Sequence, residues 1–117
     1  MTIRIKNLRL RTIIGVNDWE RRRKQDVVIN VELDFDGRSA AKSDRIEDTV
    51  DYKALCKRII DQVERSRFCL LEKLADCVLK TVLGDPKVRR VAVEVDKPDA
   101  LRSADSVSVT CRRRRKP

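Results

Sequence analysis

Two central segments of the chain have the residue spacing of amphipathic helices. The apolar residues of each segment recur at i, i+3, i+4, i+7, i+8 and i+11, so they form one helix face. They are Tyr52, Leu55, Cys56, Ile59, Ile60 and Val63 in the first segment, and Leu71, Leu74, Ala75, Val78, Leu79 and Val82 in the second. Asp51 is typical of a helix N-cap, and Gly84 followed by Pro86 is typical of a helix end. Each helix must bury one face against another layer.

Apolar and polar residues alternate in four further segments, which predicts β-strands. The clearest alternation covers residues 27–35, and shorter ones cover residues 91–95 and 107–111. In residues 3–14 the alternation shifts by one position near Asn7, and such a shift predicts a β-bulge. The resulting order, β-β-α-α-β-β, predicts an α+β fold in which two helices cover one face of a four-stranded antiparallel sheet.

The sheet face that the helices leave uncovered is expected to be polar. Its side chains are Asn30, Glu32, Asp34, Glu94, Ser106, Ser108 and Thr110. Such a face is either exposed to solvent or lines the wet interior of a barrel built from several copies of the chain, which would also remove the open sheet edges. The periodicity of the sequence is compatible with both arrangements.

The length and charge of the chain limit its organisation. A chain of 117 residues has room for one core, and we expect one domain over residues 1–111 and a basic tail over residues 112–117. The net charge of +9 comes from two basic runs, Arg21–Lys24 and Arg112–Lys116, because the remaining residues carry 19 charges of each sign. These runs leave a nucleic-acid-binding module as an alternative, although the aromatic residues are scattered and no nucleic-acid-binding motif is present.

Several kinds of chemistry are excluded by what the sequence lacks. Without histidine there is no Ser-His or Cys-His nucleophile, no imidazole base and no His-ligated metal. The four cysteines form no C-x-x-C pair, so we expect reduced thiols that fill the core, and no metal site. No apolar stretch is long enough to span a membrane and no signal peptide opens the chain, which predicts a soluble cytoplasmic protein.

Catalysis in such a chain has to rest on carboxylates, lysines, the single tyrosine or bound water. Groups of these kinds occur in four segments that border the regular elements, namely residues 15–20, 48–52, 70–73 and 96–105. Each of them has an ordinary structural interpretation by itself. Glu72 suits the first turn of a helix, and Glu20 and Lys97 suit an exposed surface. Tyr52 begins an apolar helix face and suits the core.

Taken together and in this order, the segments resemble the dihydroneopterin aldolase/epimerase family, with the closest likeness to the bacterial dihydroneopterin triphosphate 2'-epimerases. The likeness runs from Ile3 to about Thr110, nearly the whole chain. Its matching stretches are residues 3–12 (IRIKNLRLRT), 25–31 (QDVVINV), 70–74 (LLEKL) and 100–108 (ALRSADSVS). The last of these stretches best separates the epimerases from the aldolases.

The resemblance implies a tunnelling fold, in which β-β-α-α-β-β subunits form tetrameric rings around a barrel and two rings commonly stack as an octamer. Active sites in this family lie between subunits, so one chain should contribute incomplete sites. The implied substrate is a reduced pterin, with no metal, organic cofactor, nucleic acid or membrane involved. A barrel interior would account for the polar sheet face.

The resemblance also assigns substrate-binding residues. Glu72 matches the carboxylate that accepts hydrogen bonds from the pterin 2-amino and N3–H groups, a charge-assisted and geometrically selective pairing. Leu71 beside it would offer backbone polar groups. Tyr52 and the backbone of Thr49 and Val50 match groups that the neighbouring subunit supplies.

Lys97, Glu20 and Tyr52 match the catalytic residues of the family. Breaking the C1'–C2' bond requires removal of the 2'-hydroxyl proton, and the N5=C6 imine of the dihydropterin takes up the electrons, so no Schiff base with Lys97 is needed. Lys97 would accept that proton through an ordered water and help to protonate N5, while Glu20 keeps the lysine in place. Release of glycolaldehyde makes an aldolase, whereas rotation and re-addition invert C2' and make an epimerase.

We therefore predict a dihydroneopterin triphosphate 2'-epimerase, with the aldolase of folate biosynthesis as the alternative. A ring protein without catalysis is disfavoured because the matched side chains are retained. Arg102 lies five residues after Lys97 in a loop that borders the site, so its guanidinium is expected to bind the phosphates. The run Arg21–Lys24 directly follows Glu20 and is the second candidate for this role, although exposed surface charges are its simpler interpretation.

Overall fold

The computed structural model describes residues 1–116, which form five strands and four α-helices. In chain order the elements are β1 (Thr2–Ile14), α1 (Asp18–Arg22), β2 (Gln25–Phe35), α2 (Arg38–Ser43), a 3-10 turn (Ile46–Asp48), α3 (Tyr52–Arg65), β3 (Arg67–Phe68), α4 (Leu71–Leu83), β4 (Val88–Lys97) and β5 (Val107–Arg114). The four long strands and the two long helices, α3 and α4, are those that the sequence patterns predict. The α+β class is confirmed.

The strands form one sheet in the order β3-β1-β2-β4-β5. The four long strands pair antiparallel, and β3 pairs parallel with the last two residues of β1, Ile13 and Ile14. The expected four-stranded sheet therefore gains a fifth strand. Because β3 has only two residues, no alternation in the sequence reveals it. The helices α1 and α2 were missed for a similar reason, since five and six residues are too few for a visible helical repeat.

A β-bulge interrupts β1 where the alternation of its residues shifts. The register of β1 on β2 slips between Ile5 and Leu8, and Asn7 has a φ of +53°. Asparagine tolerates this left-handed conformation better than most residues. The Asn7 backbone N–H donates to Asn30 Oδ1 at 2.8 Å, which satisfies a donor that the strand pairing leaves free. The predicted bulge is confirmed, and apolar residues on both sides of it face the core.

The core lies between the sheet and the helices α3 and α4. Leu55, Ile59 and Val63 of α3 are fully buried, as are Leu74 and Val78 of α4. They pack against the buried positions of β2 and β4, namely Val27, Ile29, Val31, Leu33, Val91, Val93 and Val95. Each apolar side chain of this size stabilises the fold by roughly 1.5–3 kcal/mol when it leaves water. The core therefore holds both helices firmly on one face of the sheet.

Both long helices begin and end where the sequence indicates. The Asp51 carboxylate accepts a hydrogen bond from the Ala54 N–H at 3.0 Å, as the N-cap of α3. The helix α4 ends at Leu83, and the Gly84 N–H donates to the Lys80 carbonyl at 3.0 Å. In the part of the chain that the structure describes, no helix is long and apolar enough to cross a membrane.

The four cysteines are free thiols. Cys56 and Cys77 are half-buried on α3 and α4, and Cys111 is half-buried on β5, where burial raises the pKa of its thiol. Cys69 is exposed, so the expectation that it fills the core is wrong. The reason is that α4 starts only at Leu71, which leaves Cys69 in the connection before the helix.

Most of the C-terminal basic run belongs to the sheet. Strand β5 pairs with β4 as far as Arg114. Residues 112–114 therefore belong to the strand, whereas the sequence predicts a tail there. The backbone N–H of Arg115 donates to a β4 carbonyl at 2.7 Å, and its guanidinium donates to three carbonyls at and before the start of β4. Strand pairing uses the backbone, and a run of arginines shows no alternation that would reveal it. Pro117 lies outside the described residues.

The two ends of the sheet carry different segments. We call the end where β1 and β4 finish the Gly15 end, and the end where β2 finishes the Phe35 end. Strands β2 and β5 start at the Gly15 end, and the pairing of β3 with β1 places the end of α3 and the start of α4 there. Three of the four candidate segments therefore meet at the Gly15 end. The fourth, residues 48–52, lies at the start of α3.

Candidate functional site

Glu20 occupies a buried position at the Gly15 end. After β1 the chain turns at Gly15 into α1, and the Glu20 side chain lies against this turn. Only 4% of Glu20 is exposed, so its ordinary interpretation as a surface charge is wrong. A β-carbon at Gly15 would lie 2.2 Å from the Glu20 carboxyl carbon, and Gly15 has a φ of +123°. Glycine is therefore required here both for the turn and for the space that the carboxylate fills.

Four donors surround the Glu20 carboxylate. Oε1 accepts from the backbone N–H of Asn17 at 3.2 Å and from Asn17 Nδ2 at 2.9 Å. Oε2 accepts from Gln25 Nε2 at 3.0 Å and from Lys97 Nζ at 2.5 Å. Gln25 Nε2 also donates to the Ile14 carbonyl at 2.6 Å, which fixes the amide. The Glu20–Lys97 pair thus joins α1 to the end of β4, across 77 positions of sequence.

The Glu20–Lys97 pair is largely shielded from water. The Glu20 side chain is 6% exposed and the Lys97 side chain 13%. Burial by itself raises the pKa of the Glu20 carboxyl, but the hydrogen bonds from Lys97, Gln25 and Asn17 outweigh burial and lower the pKa to about 2. Glu20 is therefore ionised at neutral pH, and it serves as the charge partner of the lysine rather than as a proton acceptor.

We expect Glu20→Gln to lower the free energy of unfolding by on the order of 3 kcal/mol at pH 7, because the folded-state pKa of about 2 lies well below the ordinary 4.5. A lowered carboxyl pKa stabilises the fold above the ordinary pKa, and this contribution is lost as the pH falls towards 2. Urea unfolding of both proteins at equal concentration and several pH values measures the difference. A difference that stays constant down to pH 2 would contradict this explanation.

Glu72 lies in the first turn of α4, at the same end of the sheet. Its side chain is exposed, and it has no basic partner within residues 1–116, unlike Asp76 of the same helix, which pairs with Lys80 at 3.0 Å. Leu71 before it is half-buried and belongs to the helix start, where backbone N–H groups lack partners within the helix. An exposed carboxylate in this position is able to accept two parallel donors from a ligand.

Tyr52, Thr49 and Val50 lie at the other end of α3. This helix ends beside the end of β1, where Thr12 Oγ1 donates to the Ser66 carbonyl at 3.0 Å. Fourteen helical residues span about 20 Å, so Tyr52 is about that far from the Gly15 end. Tyr52 is 61% exposed, so its interpretation as a core residue is wrong. The side chain of Val50 is fully buried, so only the backbone groups of Val50 could contact a ligand. One chain does not bring these residues to the Glu20–Lys97 pair.

The two arginine candidates for phosphate binding have different surroundings. Arg102 lies between β4 and β5 at the Gly15 end, and its side chain is exposed. Arg21 is half-buried in α1, and its guanidinium donates to the backbone carbonyls of Gly15, Arg67 and Phe68. Arg102 is therefore available to an anionic ligand, whereas the donors of Arg21 are engaged within the fold.

Sequence reasoning missed Asn17 and Gln25, which hold the Glu20 carboxylate. Asn17 stands three residues before Glu20, the spacing of a capping box, so a local signal was present. Gln25 gives no such signal, because it reaches the carboxylate only through the turn between α1 and β2. Within the described residues, no three His, Cys, Asp or Glu side chains are grouped as metal ligands.

Apart from Met1, the large exposed apolar side chains of the described residues lie at two places. At the Gly15 end they are Val16, Trp19, Leu70 and Leu101, each more than half exposed. Around the start of α3 they are Ile46 and Tyr52. Clustered apolar side chains on a surface mark interaction sites more often than single ones do. Each of the two groups borders one set of the candidate site residues.

Comparison with known proteins decides the family. The sequence profile of the family FolB, dihydroneopterin aldolase, matches residues 3–112. The chain belongs to the dihydroneopterin aldolase family. The resemblance that the sequence motifs indicate is thus confirmed over nearly the whole chain.

The relatives include epimerases as well as aldolases, the two activities considered above. The chain is 46% identical to the dihydroneopterin triphosphate 2'-epimerase of Pseudomonas aeruginosa over 108 residues, which cover 92% of this chain and 88% of the relative. It is 48% identical to the epimerase of Escherichia coli K12 over 108 residues, with 92% and 90% covered. It is 35% identical to the dihydroneopterin aldolase of the same strain over 109 residues, with 93% and 89% covered. Identity is thus higher to these epimerases than to this aldolase.

Solved structures of the family share the fold. The dihydroneopterin aldolase of Escherichia coli in complex with neopterin superimposes with a TM-score of 0.92 at 34% identity, covering 97% of this chain and 98% of that one. The guanine-bound dihydroneopterin aldolase of Burkholderia superimposes with a TM-score of 0.83 at 28% identity, covering 99% and 92%. The expected tunnelling fold is confirmed, with the fifth strand as its one departure from the expected sheet.

Proposed function

We propose that this protein epimerises C2' in the side chain of 7,8-dihydroneopterin triphosphate, giving 7,8-dihydromonapterin triphosphate. The observation that carries the proposal is the buried Glu20–Lys97 pair, with Nζ and Oε2 2.5 Å apart, beside the exposed Glu72 at the same end of the sheet. The identity of 46–48% to epimerases supports this activity over the aldolase alternative. A reduced pterin is the substrate class of either reaction.

The proposed reaction needs one proton relay and no external electron acceptor. The Lys97 ammonium delivers a proton to N5 of the dihydropterin, and the 2'-hydroxyl proton passes through a bound water to Lys97 to replace it. The electrons of the C1'–C2' bond form the C1'=C6 double bond, and C2' becomes the carbonyl of a two-carbon aldehyde. Rotation of the aldehyde and the reverse steps rebuild the bond with C2' inverted. Glu20 keeps the lysine ammonium in position and compensates its charge.

The products distinguish the epimerase from the aldolase. We expect dihydroneopterin triphosphate to give monapterin after dephosphorylation and oxidation, identified by chiral chromatography against neopterin and monapterin standards. If 6-hydroxymethyl-dihydropterin and an aldehyde accumulate instead, the protein is an aldolase. If neither product forms, both activities are refuted.

We also propose that the active site is shared between subunits of a tetrameric ring, with two rings stacked as an octamer. Three observations support it. The two sets of site residues lie about 20 Å apart in one chain, and each set borders exposed apolar side chains. Within residues 1–116, the outer edge of β5 and that of β1 before Ile13 are open. Pairing β5 of one copy with β1 of the next would close the sheet into a barrel. Its inner face would carry the polar network in which Arg90 binds Glu32 at 2.9 Å and Asp34 at 2.7 Å.

We expect Glu72→Gln to weaken binding of the pterin more than it slows the bound reaction. The carboxylate contacts the ring in the ground state and in the transition state alike, so its loss removes uniform binding, and the amide turns a donor towards the donors of the pterin. Titration with neopterin and steady-state kinetics measure both effects, with Glu64→Gln as the exposed control on α3. Unchanged affinity of Glu72→Gln for neopterin would remove Glu72 from the site.

We expect Arg102→Ala to raise KM for dihydroneopterin triphosphate by roughly tenfold to a hundredfold, since one charged contact contributes on the order of 1.5–3 kcal/mol. Unphosphorylated dihydroneopterin should be nearly unaffected, because it lacks the anionic group. The preference of the wild type for the triphosphate should also shrink as salt rises. Equal losses with both substrates would mean that Arg102 maintains the loop instead of binding phosphate.

The nucleic-acid-binding alternative is less well supported than the enzyme. Arg21 and Arg115, one from each basic run, use their guanidinium groups to bind backbone carbonyls of this chain. Each run therefore has one guanidinium group that is engaged within the fold. The free cysteines fit the reducing cytoplasm, which is the proposed location.

A further inference from the structure

Arg21 is bound into the fold more tightly than the rest of its basic run. Its Nη1 donates to the carbonyls of Gly15 and Phe68, each at 3.0 Å, and its Nη2 donates to the carbonyl of Arg67 at 2.6 Å. Arg67 Nη2 donates in return to the Arg21 carbonyl at 3.1 Å. Arg21 is half-buried, whereas residues 22–24 are exposed. The guanidinium thus has three backbone acceptors, and a planar fork of donors suits such an arrangement.

The three acceptors belong to the two segments that carry the candidate site. Gly15 is the residue against which the Glu20 carboxylate packs. Arg67 and Phe68 form β3, and α4 with Glu72 begins three residues after Phe68. One guanidinium therefore links the turn that supports Glu20 to the strand that leads to Glu72.

Few other contacts hold these segments in register. Strand β3 is paired with β1 over only two residues, and the Gly15 N–H donates to the Phe68 carbonyl at 3.3 Å. The Phe68 carbonyl therefore accepts from both Gly15 and Arg21. Without the Arg21 guanidinium, this junction would keep the two-residue strand pairing and the long Gly15–Phe68 hydrogen bond. It would also keep the hydrogen bonds that Thr12 Oγ1 and Arg67 Nη2 donate to the carbonyls of Ser66 and Arg21.

We propose that Arg21 is a positioning residue that sets the distance between the pterin-binding carboxylate of Glu72 and the Glu20–Lys97 pair. This inference rests on the proposed function. When Glu72 holds the ring, the C1'–C2' bond must lie at the lysine for the proton relay to work. A misplacement of about 1 Å is enough to cost roughly a hundredfold in rate. Arg21 acts through the backbone and touches no reacting atom.

The expected signature is a loss in kcat with little change in KM. Arg21→Lys keeps the charge but has a single nitrogen, which cannot reproduce the two-nitrogen fork. We expect Arg21→Lys and Arg21→Gln to lower kcat by roughly tenfold to a hundredfold, while KM changes by less than about threefold because Glu72 still binds the ring. Arg58→Gln is the control, since Arg58 is an exposed arginine on α3, outside the candidate segments.

The experiment measures kcat and KM for dihydroneopterin triphosphate in the wild type and these variants, and adds millimolar guanidinium to Arg21→Ala. Partial recovery of kcat by guanidinium, without recovery in Arg21→Ala treated with sodium chloride, supports the inference. Wild-type kcat in Arg21→Lys and Arg21→Gln refutes it. A lowered kcat that comes with a raised KM and a lowered Tm, and that guanidinium does not reverse, refutes it as well. An inactive wild type refutes the proposed function and this inference together, whereas an active wild type with active variants refutes the inference alone.

Discussion

Replacing Lys97 with methionine is expected to lower kcat by about 10²–10⁴-fold and to leave the affinity for neopterin within about threefold. Methionine preserves most of the side-chain length and removes the group that we propose to relay protons between the 2'-hydroxyl and N5. In the proposed site, Glu72 and the neighbouring subunit hold the pterin ring, so we expect ground-state binding to be retained. Steady-state kinetics and fluorescence titration with neopterin measure the two quantities.

The loss of Lys97 also leaves Glu20 as an unpaired buried carboxylate, which costs about 3–5 kcal/mol of stability. The double variant Lys97→Met with Glu20→Gln removes that stranded charge, so it should recover stability without recovering activity. Lys87→Met, at an exposed lysine before β4, should behave as the wild type. Wild-type kcat in the double variant would show that neither member of the pair takes part in the reaction.

Mixing two inactive variants is expected to restore activity. Tyr52→Ala removes one part of the site and Lys97→Met the other, and in the proposed ring each site takes these parts from different subunits. Random assembly of equal amounts gives an intact combination at about a quarter of the sites. We therefore expect about a quarter of the wild-type activity after the variants are dissociated together and reassembled.

The control for this experiment is a mixture of Lys97→Met with Glu20→Gln. Both substitutions lie in the same part of the site, so no arrangement of the two chains rebuilds an intact one. Each variant taken alone through the same procedure gives the background. If Tyr52→Ala and Lys97→Met mixed together stay at that background, the shared-site proposal is wrong.

The parts of the fold that were predictable are those in which a residue pattern reports burial of one face. The helices α3 and α4 and the long strands bury a face each, and the bulge at Asn7 shows as a slip in the alternation because both halves of β1 face the same core. The two-residue strand β3 and the short helices α1 and α2 bury too few residues for a repeat. The strand residues after Cys111 are all basic, so their pairing with β4 left no pattern.

The candidate site was predictable only through the family resemblance. The distance between Glu20 and Lys97 depends on the register of β1, β2 and β4 and on the turn at Gly15, which no local pattern contains. The exposure of Tyr52 was equally hidden, because helical phase tells which face a residue occupies but not whether another layer covers that end of the helix. The backbone bonds of Arg21 depend on β3, and this strand was itself invisible in the sequence.

The position of a bound pterin tests the proposed site most directly. We expect a crystal structure of the assembled protein with neopterin to place the ring's 2-amino and N3–H groups on Glu72 of one subunit. The same ring should border Tyr52 of the neighbouring subunit, and its side chain should reach Lys97. Neopterin held within a single chain, or bound with its side chain directed away from Lys97, would contradict the proposed site.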